Sequence, residues 1–272
     1  MLLAVALCLV SPAAASAIRI VEVGGAALEG PTAPVTVPGR APRRGGGALD
    51  SSLRVLDATD ISTRTNGKIL GVDPKEGNFS CSGTAINTPS KSIVLTAGHC
   101  VVLNGITASR IAFVPAYEHE DRPFGTFNVS SVYVMPQWRH GENPDFDVAA
   151  LGVAPNHLGD LTDVVGARGF ATSRSRSADF QIYGYPAAAL KGEEMRSCRA
   201  HGLGSDPLTF SFVGPPTIPG DCDMAAGSSG GGWLLEGTYV DGVTSYGYAN
   251  RPDLLYSPYF GSAIGAFLNA LP

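Results

Sequence analysis

The sequence predicts an all-β protein of short strands joined by tight turns, in a barrel or a sandwich. Three observations carry this. Gly 34 and Pro 20 in 272 residues are too many for a helical bundle. Hydrophobic residues at 44% against charged residues at 16% supply a core and exclude a chain disordered throughout. Short apolar, β-branched runs recur along the chain, each closed by Gly, Pro, Asn or Asp. The length leaves room for one large domain or two small ones. A net charge of -5 without a basic stripe argues against a nucleic-acid partner. Beyond the N-terminal stretch, no apolar run approaches the roughly 20 residues of a membrane-spanning helix.

Residues 1–10 are almost wholly apolar, Ser11 and Pro12 interrupt the run, and Ala13 to Ala17 are small. Ala15-Ser16-Ala17 fits a small-x-small site, so residues 1–17 read as an export signal cleaved after Ala17, although no Lys or Arg precedes the run. The competing reading is a buried N-terminal strand. Cys8 lies inside the signal, which leaves Cys81, Cys100, Cys198 and Cys222. An even number in an oxidising compartment fits two disulfides, with three pairings open. No two of these cysteines show C-x-x-C spacing, so a zinc reading has little support.

Residues 18–60 differ from the rest. They hold Pro31, Pro34 and Pro38, then Arg40, Arg43, Arg44 and Gly45-Gly46-Gly47. Such a stretch buries little, and it reads as a propeptide processed near the arginines or as a disordered N-terminal arm. Residues 61–272 form the globular part. Strands are expected at 68–72, 79–86, 92–96, 111–114, 128–135, 148–153, 181–185, 208–213, 232–235 and 240–245. The stretch 174–177, Arg-Ser-Arg-Ser, reads as an exposed loop. Only 260–271 is helical in pattern, with Ile264, Phe267, Leu268 and Leu271 on one face.

Three segments carry chemistry. Leu95-Thr96-Ala97-Gly98-His99-Cys100 is a strand running into a turn that presents His99. In Asp145-Phe146-Asp147-Val148-Ala149-Ala150-Leu151 an acid opens an apolar strand. Gly227-Ser228-Ser229-Gly230-Gly231 holds serine in a glycine-rich turn between Cys222 and the apolar Trp233-Leu234-Leu235, which argues against a floppy linker. Serine hydrolysis needs these parts. A hydroxyl attacks only if a base takes its proton, imidazole titrates near neutrality, and a buried carboxylate fixes the ring's tautomer. Glycines let backbone N–H groups approach a developing oxyanion.

These motifs, in the order His, Asp, Ser, resemble those of the trypsin-like serine peptidases, in particular the secreted microbial branch related to glutamyl endopeptidases. Thr96-Ala97-Gly98-His99-Cys100 resembles that family's T-A-A-H-C, and Asp147-Val148-Ala149-Ala150-Leu151 its D-[IV]-A-L strand. Gly227-Ser228-Ser229-Gly230-Gly231 matches G-x-S-G-G, and Thr244-Ser245-Tyr246-Gly247 resembles the S-W-G strand. Gly184-Tyr185-Pro186 and the final helix resemble the microbial branch. The resemblance spans residue 68 to the C-terminus. It implies two six-stranded antiparallel β-barrels with a C-terminal helix and a cleft between the barrels. It implies His99 as general base, Asp147 as its orienting acid and Ser229 as nucleophile. Gly227 and Ser229 N–H groups would form the oxyanion hole, and Ser245, Tyr246 and Gly247 would pair with the substrate strand. It also implies a Cys81–Cys100 disulfide bracing the histidine loop, which leaves Cys198 to Cys222. No metal or organic cofactor is needed, the substrates are proteins or peptides, and a secreted monomer is expected.

Chain order separates this reading from other serine hydrolases. G-x-S-x-G also marks lipases and esterases, but there His follows Ser, and no histidine follows Ser229 here. Subtilisins run Asp, His, Ser, and Asp73 lacks their glycine-rich context. Asp145 competes with Asp147, but only Asp147 directly opens the strand. Ser228 competes with Ser229, and the flanking glycines favour Ser229. His119, His140, His157 and His201 read as surface or structural. Asn78-Phe79-Ser80 and Asn128-Val129-Ser130 are formal glycosylation sequons.

Two departures from the family matter. Ser228 stands where animal trypsins place the acid that pairs with the freed N-terminus, so that activation switch is absent. Residues 241–250 hold no histidine of the kind glutamyl endopeptidases use. Asp223, six residues before Ser229, matches the acid at the base of trypsin's pocket and implies Arg or Lys before the scissile bond. The alternative to an enzyme is a catalytically silent binding or adhesion protein on the same fold.

Overall fold

The computed structural model describes residues 19–22, 53–54, 57–224 and 226–272. The export signal at 1–17 lies outside the described residues, as does most of the 18–60 segment with Arg40, Arg43 and Arg44.

In chain order the first half holds β1 (Arg19–Glu22), β2 (Leu53–Arg54), a short helix α1 (Ile61–Arg64), β3 (Asn66–Asp73), β4 (Gly77–Ile86) and β5 (Ile93–Thr96). A small hairpin, β6 (Val102–Leu103) and β7 (Ile106–Thr107), precedes β8 (Ser109–Pro115), β9 (Phe127–Val134), α2 (Pro136–Gly141) and β10 (Ala149–Val153). Strands β9, β10, β5, β4, β3 and β8 pair in that order, and β8 pairs back to β9, so the sheet closes into a six-stranded barrel. β1 joins β9 in parallel, from Arg19 opposite Ser131 to Glu22 opposite Val134.

The continuous apolar runs of β5 and β10 follow from burial on both faces. Val94, Ala149 and Leu151 point into the barrel with Phe113, Phe127 and Trp138. Ile93, Leu95 and Ala150 point the other way, into a second cluster with Val240, Val243, Phe260 and Phe267. That second cluster joins the two halves of the chain.

The second half holds α3 (Leu161–Val165), β11 (Gly169–Phe170), β12 (Asp179–Gly184), α4 (Ala187–Leu190), β13 (Arg196–His201) and β14 (Ile218–Asp221). It ends with β15 (Gly232–Leu235), β16 (Tyr239–Val243), β17 (Leu254–Ser257) and α5 (Ser262–Asn269). Its ladders do not form one continuous closed sheet. Strands β11, β16, β15, β12, β13 and β2 make one sheet, and β14 and β17 make a separate pair. Isolated bridges from Gly202 to Gly220 and from Tyr246 to Tyr256 link the two. A core of Phe180, Ile182, Cys198, Cys222, Trp233 and Leu255 lies between them. Helix α5 is shorter than the expected 260–271, and it buries Ile264, Phe267 and Leu268 in the cluster that joins the halves.

One expected strand is absent. Residues 208–213 form a 3-10 turn at Pro207–Thr209 followed by bends, and the strand of this region is β14. Leu208, Phe210 and Phe212 alternate as in a strand, but Leu208 and Phe210 are exposed and Phe212 is only half-buried, because Asp206 accepts from Leu208 N at 3.0 Å and closes a turn instead. Eight strands have no counterpart among those expected: the short β1, β2, β6, β7 and β11, and in the second half β13, β14 and β17.

Both expected disulfides are present, Cys81–Cys100 with Cα atoms 6.2 Å apart and Cys198–Cys222 with Cα atoms 6.1 Å apart. The first ties β4 to the turn after β5, and the second ties β13 to the segment after β14.

Candidate active site

Pairing of β5 with β10 brings the first two candidates together. The strands are antiparallel with Thr96 opposite Ala149, so the end of β5 lies beside the start of β10. His99 follows Thr96 by three residues and Asp147 precedes Ala149 by two, which places both at one barrel end. The neighbours of Asp147, Phe146 and Val148, are anchored in the cluster between the halves. Each such side chain contributes on the order of 2 kcal/mol by leaving water, and together they fix the peptide between them.

His99 Nδ1 lies 2.7 Å from Asp147 Oδ2, and the His99 backbone N–H donates to Asp147 Oδ1 at 2.8 Å. Ser245 Oγ donates to the same Oδ2 at 2.5 Å. The carboxylate thus has three donors and is almost enclosed, 3% exposed against 26% for the imidazole. The ring remains open to a substrate and the acid does not. Trp138 backs the ring edge-on at a centroid distance of 6.3 Å, and its Nε1 donates to Val102 O at 2.9 Å. Neither Trp138 nor the Ser245 side chain had a signal in the sequence as a partner of the histidine–acid pair.

The glycine-rich turn faces the same region from the second half. A Cβ on Gly230 would lie 2.1 Å from Thr96 Oγ1, so Ser229 is carried by a residue packed against the strand end that presents His99. Gly227 adopts φ +98, and a Cβ there would lie 2.5 Å from Tyr185 O. Only glycine meets both demands. Four successive carbonyls of the turn are held: Ala226 O by Ala187 N at 2.6 Å, Gly227 O by Ser82 Oγ at 2.9 Å, Ser228 O by Gly231 N at 3.0 Å and Ser229 O by Ser82 N at 2.7 Å. Among the described residues, the N–H groups of Gly227 and Ser229 donate to no acceptor.

The competing candidates separate by burial. Ser229 is half-buried, whereas Ser228 is buried with its Cβ against Gly184 of β12. Asp145 is buried under Gly214, and neither of its carboxylate oxygens has a hydrogen-bond partner among the described residues. His119 lies 3.4 Å from Glu194 and His201 2.7 Å from Asp179, both at the surface and apart from His99. Asp223 is half-buried and follows the disulfide-bonded Cys222. Tyr246 stacks on Tyr256 at 4.9 Å, and Tyr246 and Tyr248 both donate to Asp206 Oδ2 at 2.7 Å. Among the described residues, the grouping with metal-ligand geometry is Cys81, His99 and Cys100, whose sulfurs are taken up by the disulfide.

Burial of Asp145 pushes its pKa up to about 7, opposed by Arg176 and assisted by Asp206. At low pH the carboxyl is neutral in the folded and the unfolded chain alike. From about pH 4 upward the unfolded chain ionises while the folded one does not, so native stability is lost as pH rises to about 7. Asp145→Asn is expected to flatten the fall in melting temperature across that window and to exceed the wild type at pH 8. Thermal unfolding at a series of pH values checks this. An unchanged pH profile would mean that Asp145 is solvated. Asp241, whose burial also pushes it to about 7, would retain its share of the slope in the variant.

A histidine–acid pair at one barrel end, with a glycine-rich serine turn packed against the same strand end, is compatible with a serine hydrolase. Comparison with known proteins narrows the class. The Trypsin family model matches residues 63–261. The protease Anisep from Arthrobacter nicotinovorans is 32% identical with a TM-score of 0.71, over 77% of this chain and 96% of its own. A thermostable serine protease from an extremophilic microorganism is 30% identical with a TM-score of 0.70, over 77% and 97%. A Glu endopeptidase shares the fold at 19% identity with a TM-score of 0.67, over 80% and 95%. No curated protein matches the chain. The chain belongs to the trypsin family and is a serine-type endopeptidase.

Proposed function

We propose that this protein is a secreted endopeptidase that cleaves peptide bonds through an acyl-enzyme on Ser229. The observation that carries the reading is the 2.7 Å contact between His99 Nδ1 and the enclosed Asp147, at a barrel end packed against the Ser229 turn. Ser229 Oγ attacks the peptide carbonyl carbon as His99 Nε2 takes its proton. The N–H groups of Gly227 and Ser229 bind the resulting oxyanion. The intermediate collapses as the C–N bond breaks and His99 protonates the leaving amine. Water then attacks the acyl-enzyme, with His99 again as base.

Ser245, Tyr246 and Gly247 pair with the substrate as an added strand, and the second-half sheets act as the second barrel of the fold, closed through their bridges. Export of residues 1–17, and removal of 18–60 as a propeptide, deliver the peptidase to an oxidising compartment. The two disulfides and the lack, among the described residues, of any helix fit to cross a membrane agree with that destination.

The test is labelling of purified, processed protein with a fluorophosphonate, with the adduct mapped by mass spectrometry. An adduct on Ser229 that His99→Ala abolishes is expected. Folded, processed protein that takes no label would reject the reading in favour of a binding protein on the same fold.

Asp223 sits at the base of the primary specificity pocket in this reading and favours Arg or Lys before the scissile bond. Asp223→Ser removes the partner of a desolvated substrate cation, so kcat/KM for Arg and Lys substrates is expected to fall about a hundredfold or more. Substrates with apolar residues at that position should change far less. A parallel fall for both classes would place Asp223 in the fold and not in the pocket.

A further inference from the structure

We infer that Ser82 is a positioning residue that holds the oxyanion-binding turn in its productive orientation across the boundary between the two halves. The inference rests on the reading of Gly227 and Ser229 as oxyanion donors.

A trans peptide is planar, and its C=O and N–H point in opposite directions. An N–H is therefore aimed by whatever holds the carbonyl of its own peptide. The Gly227 N–H is aimed by Ala187 N, which holds Ala226 O at 2.6 Å. The Ser229 N–H is aimed by Gly231 N, which holds Ser228 O at 3.0 Å. Between these two peptides lies a third, Gly227–Ser228, and its carbonyl accepts from Ser82 Oγ at 2.9 Å. If that middle peptide turns, the two aimed N–H groups no longer converge.

Ser82 does more than hold the middle peptide. Its hydroxyl also accepts from Tyr185 N at 2.9 Å, which fixes the turn that brings Ala187 N to Ala226 O. Its own N–H holds Ser229 O at 2.7 Å, and its carbonyl accepts from Thr96 Oγ1 at 2.9 Å. Cys81, beside it, is bonded to Cys100, beside His99. One buried residue of β4 thus ties the nucleophile turn, the 185–187 turn and the histidine strand into one frame. A donor that is pre-aimed needs no reorganisation when charge develops, and this preorganisation is what an oxyanion site contributes to rate.

Ser82→Ala keeps the backbone bonds and deletes the hydroxyl. The expected result is a fall in kcat of about tenfold to a hundredfold with KM little changed, below the cost of deleting a donor outright. A peptide aldehyde, whose adduct carries the oxyanion, should lose affinity by the same factor as kcat/KM. A peptide product, which forms no adduct, should bind as before. Ser82→Thr restores the hydroxyl and should restore aldehyde affinity. Should the alanine variant fail to accumulate, Ser82→Gly removes the same hydroxyl and serves in its place.

Fluorophosphonate labelling of wild-type Ser229 is read first. Its absence rejects the enzymatic reading, and this inference with it. If wild type labels but hydroxyl deletion leaves aldehyde affinity within twofold, the inference alone is overturned. Equal weakening of aldehyde and product overturns it as well, because that result marks a general loosening of the cleft.

Discussion

Ser229→Ala is expected to lower kcat on a peptide amide by about a millionfold, and His99→Ala by a similar factor. The double variant should be no worse than either single one, because nucleophile and base act as a unit and removing one leaves the other nothing to do. Some acceleration over water should survive, since the N–H groups of Gly227 and Ser229 and the substrate-pairing strand are untouched. Stability should change little. Ser229 Oγ takes part in no hydrogen bond among the described residues, whereas the backbone of Ser229 is held by Ser82 N at 2.7 Å. Single-turnover kinetics with an unfolding control checks both points. Activity within tenfold of wild type would show that another group is the nucleophile. Ser228 could take over only by leaving its packed position against Gly184.

The residues that carry this prediction were readable because each sits in a local pattern. His99 ends an apolar strand, Asp147 opens one, and Ser229 lies among glycines. Register then does the rest, since antiparallel pairing of Thr96 with Ala149 forces the first two together. Strands buried on both faces, such as β5 and β10, announce themselves as apolar runs. By contrast β13, Arg196–His201, buries only Cys198 and Ala200, and its arginines hide it. The alternation at 208–213 is the reverse case, a strand-like pattern whose apolar side chains find no core. Period-2 spacing reports a strand only where one face is covered. Ser82 was invisible for another reason. Its contact with Gly227 spans 145 residues, and no local pattern encodes an acceptor so distant.

Asp147→Asn is expected to lower kcat at neutral pH by about ten-thousand-fold while leaving substrate affinity nearly intact. The hydrogen bonds dictate why. The asparagine side chain would have one acceptor oxygen and one donor nitrogen for the two positions that Asp147 fills with acceptors. The position facing the His99 backbone N–H, now Oδ1 at 2.8 Å, can hold only the amide oxygen, because an NH2 there would meet another donor. The NH2 must therefore take the Oδ2 position, 2.7 Å from His99 Nδ1. Ser245, whose hydroxyl now donates to Oδ2, can rotate to accept, so nothing resists that choice. An NH2 pointed at Nδ1 requires that nitrogen to be bare and moves the ring proton to Nε2. That is the nitrogen that must be free to take the proton from Ser229. Imidazole 15N chemical shifts test the tautomer directly, and kcat tests its consequence. A protonated Nδ1 in a slow variant would mean that Asp147 acts by its charge on the imidazolium and not by selecting the tautomer. A variant as fast as wild type would remove Asp147 from the mechanism. Rate and spectrum together thus separate the two ways a buried carboxylate can serve a histidine.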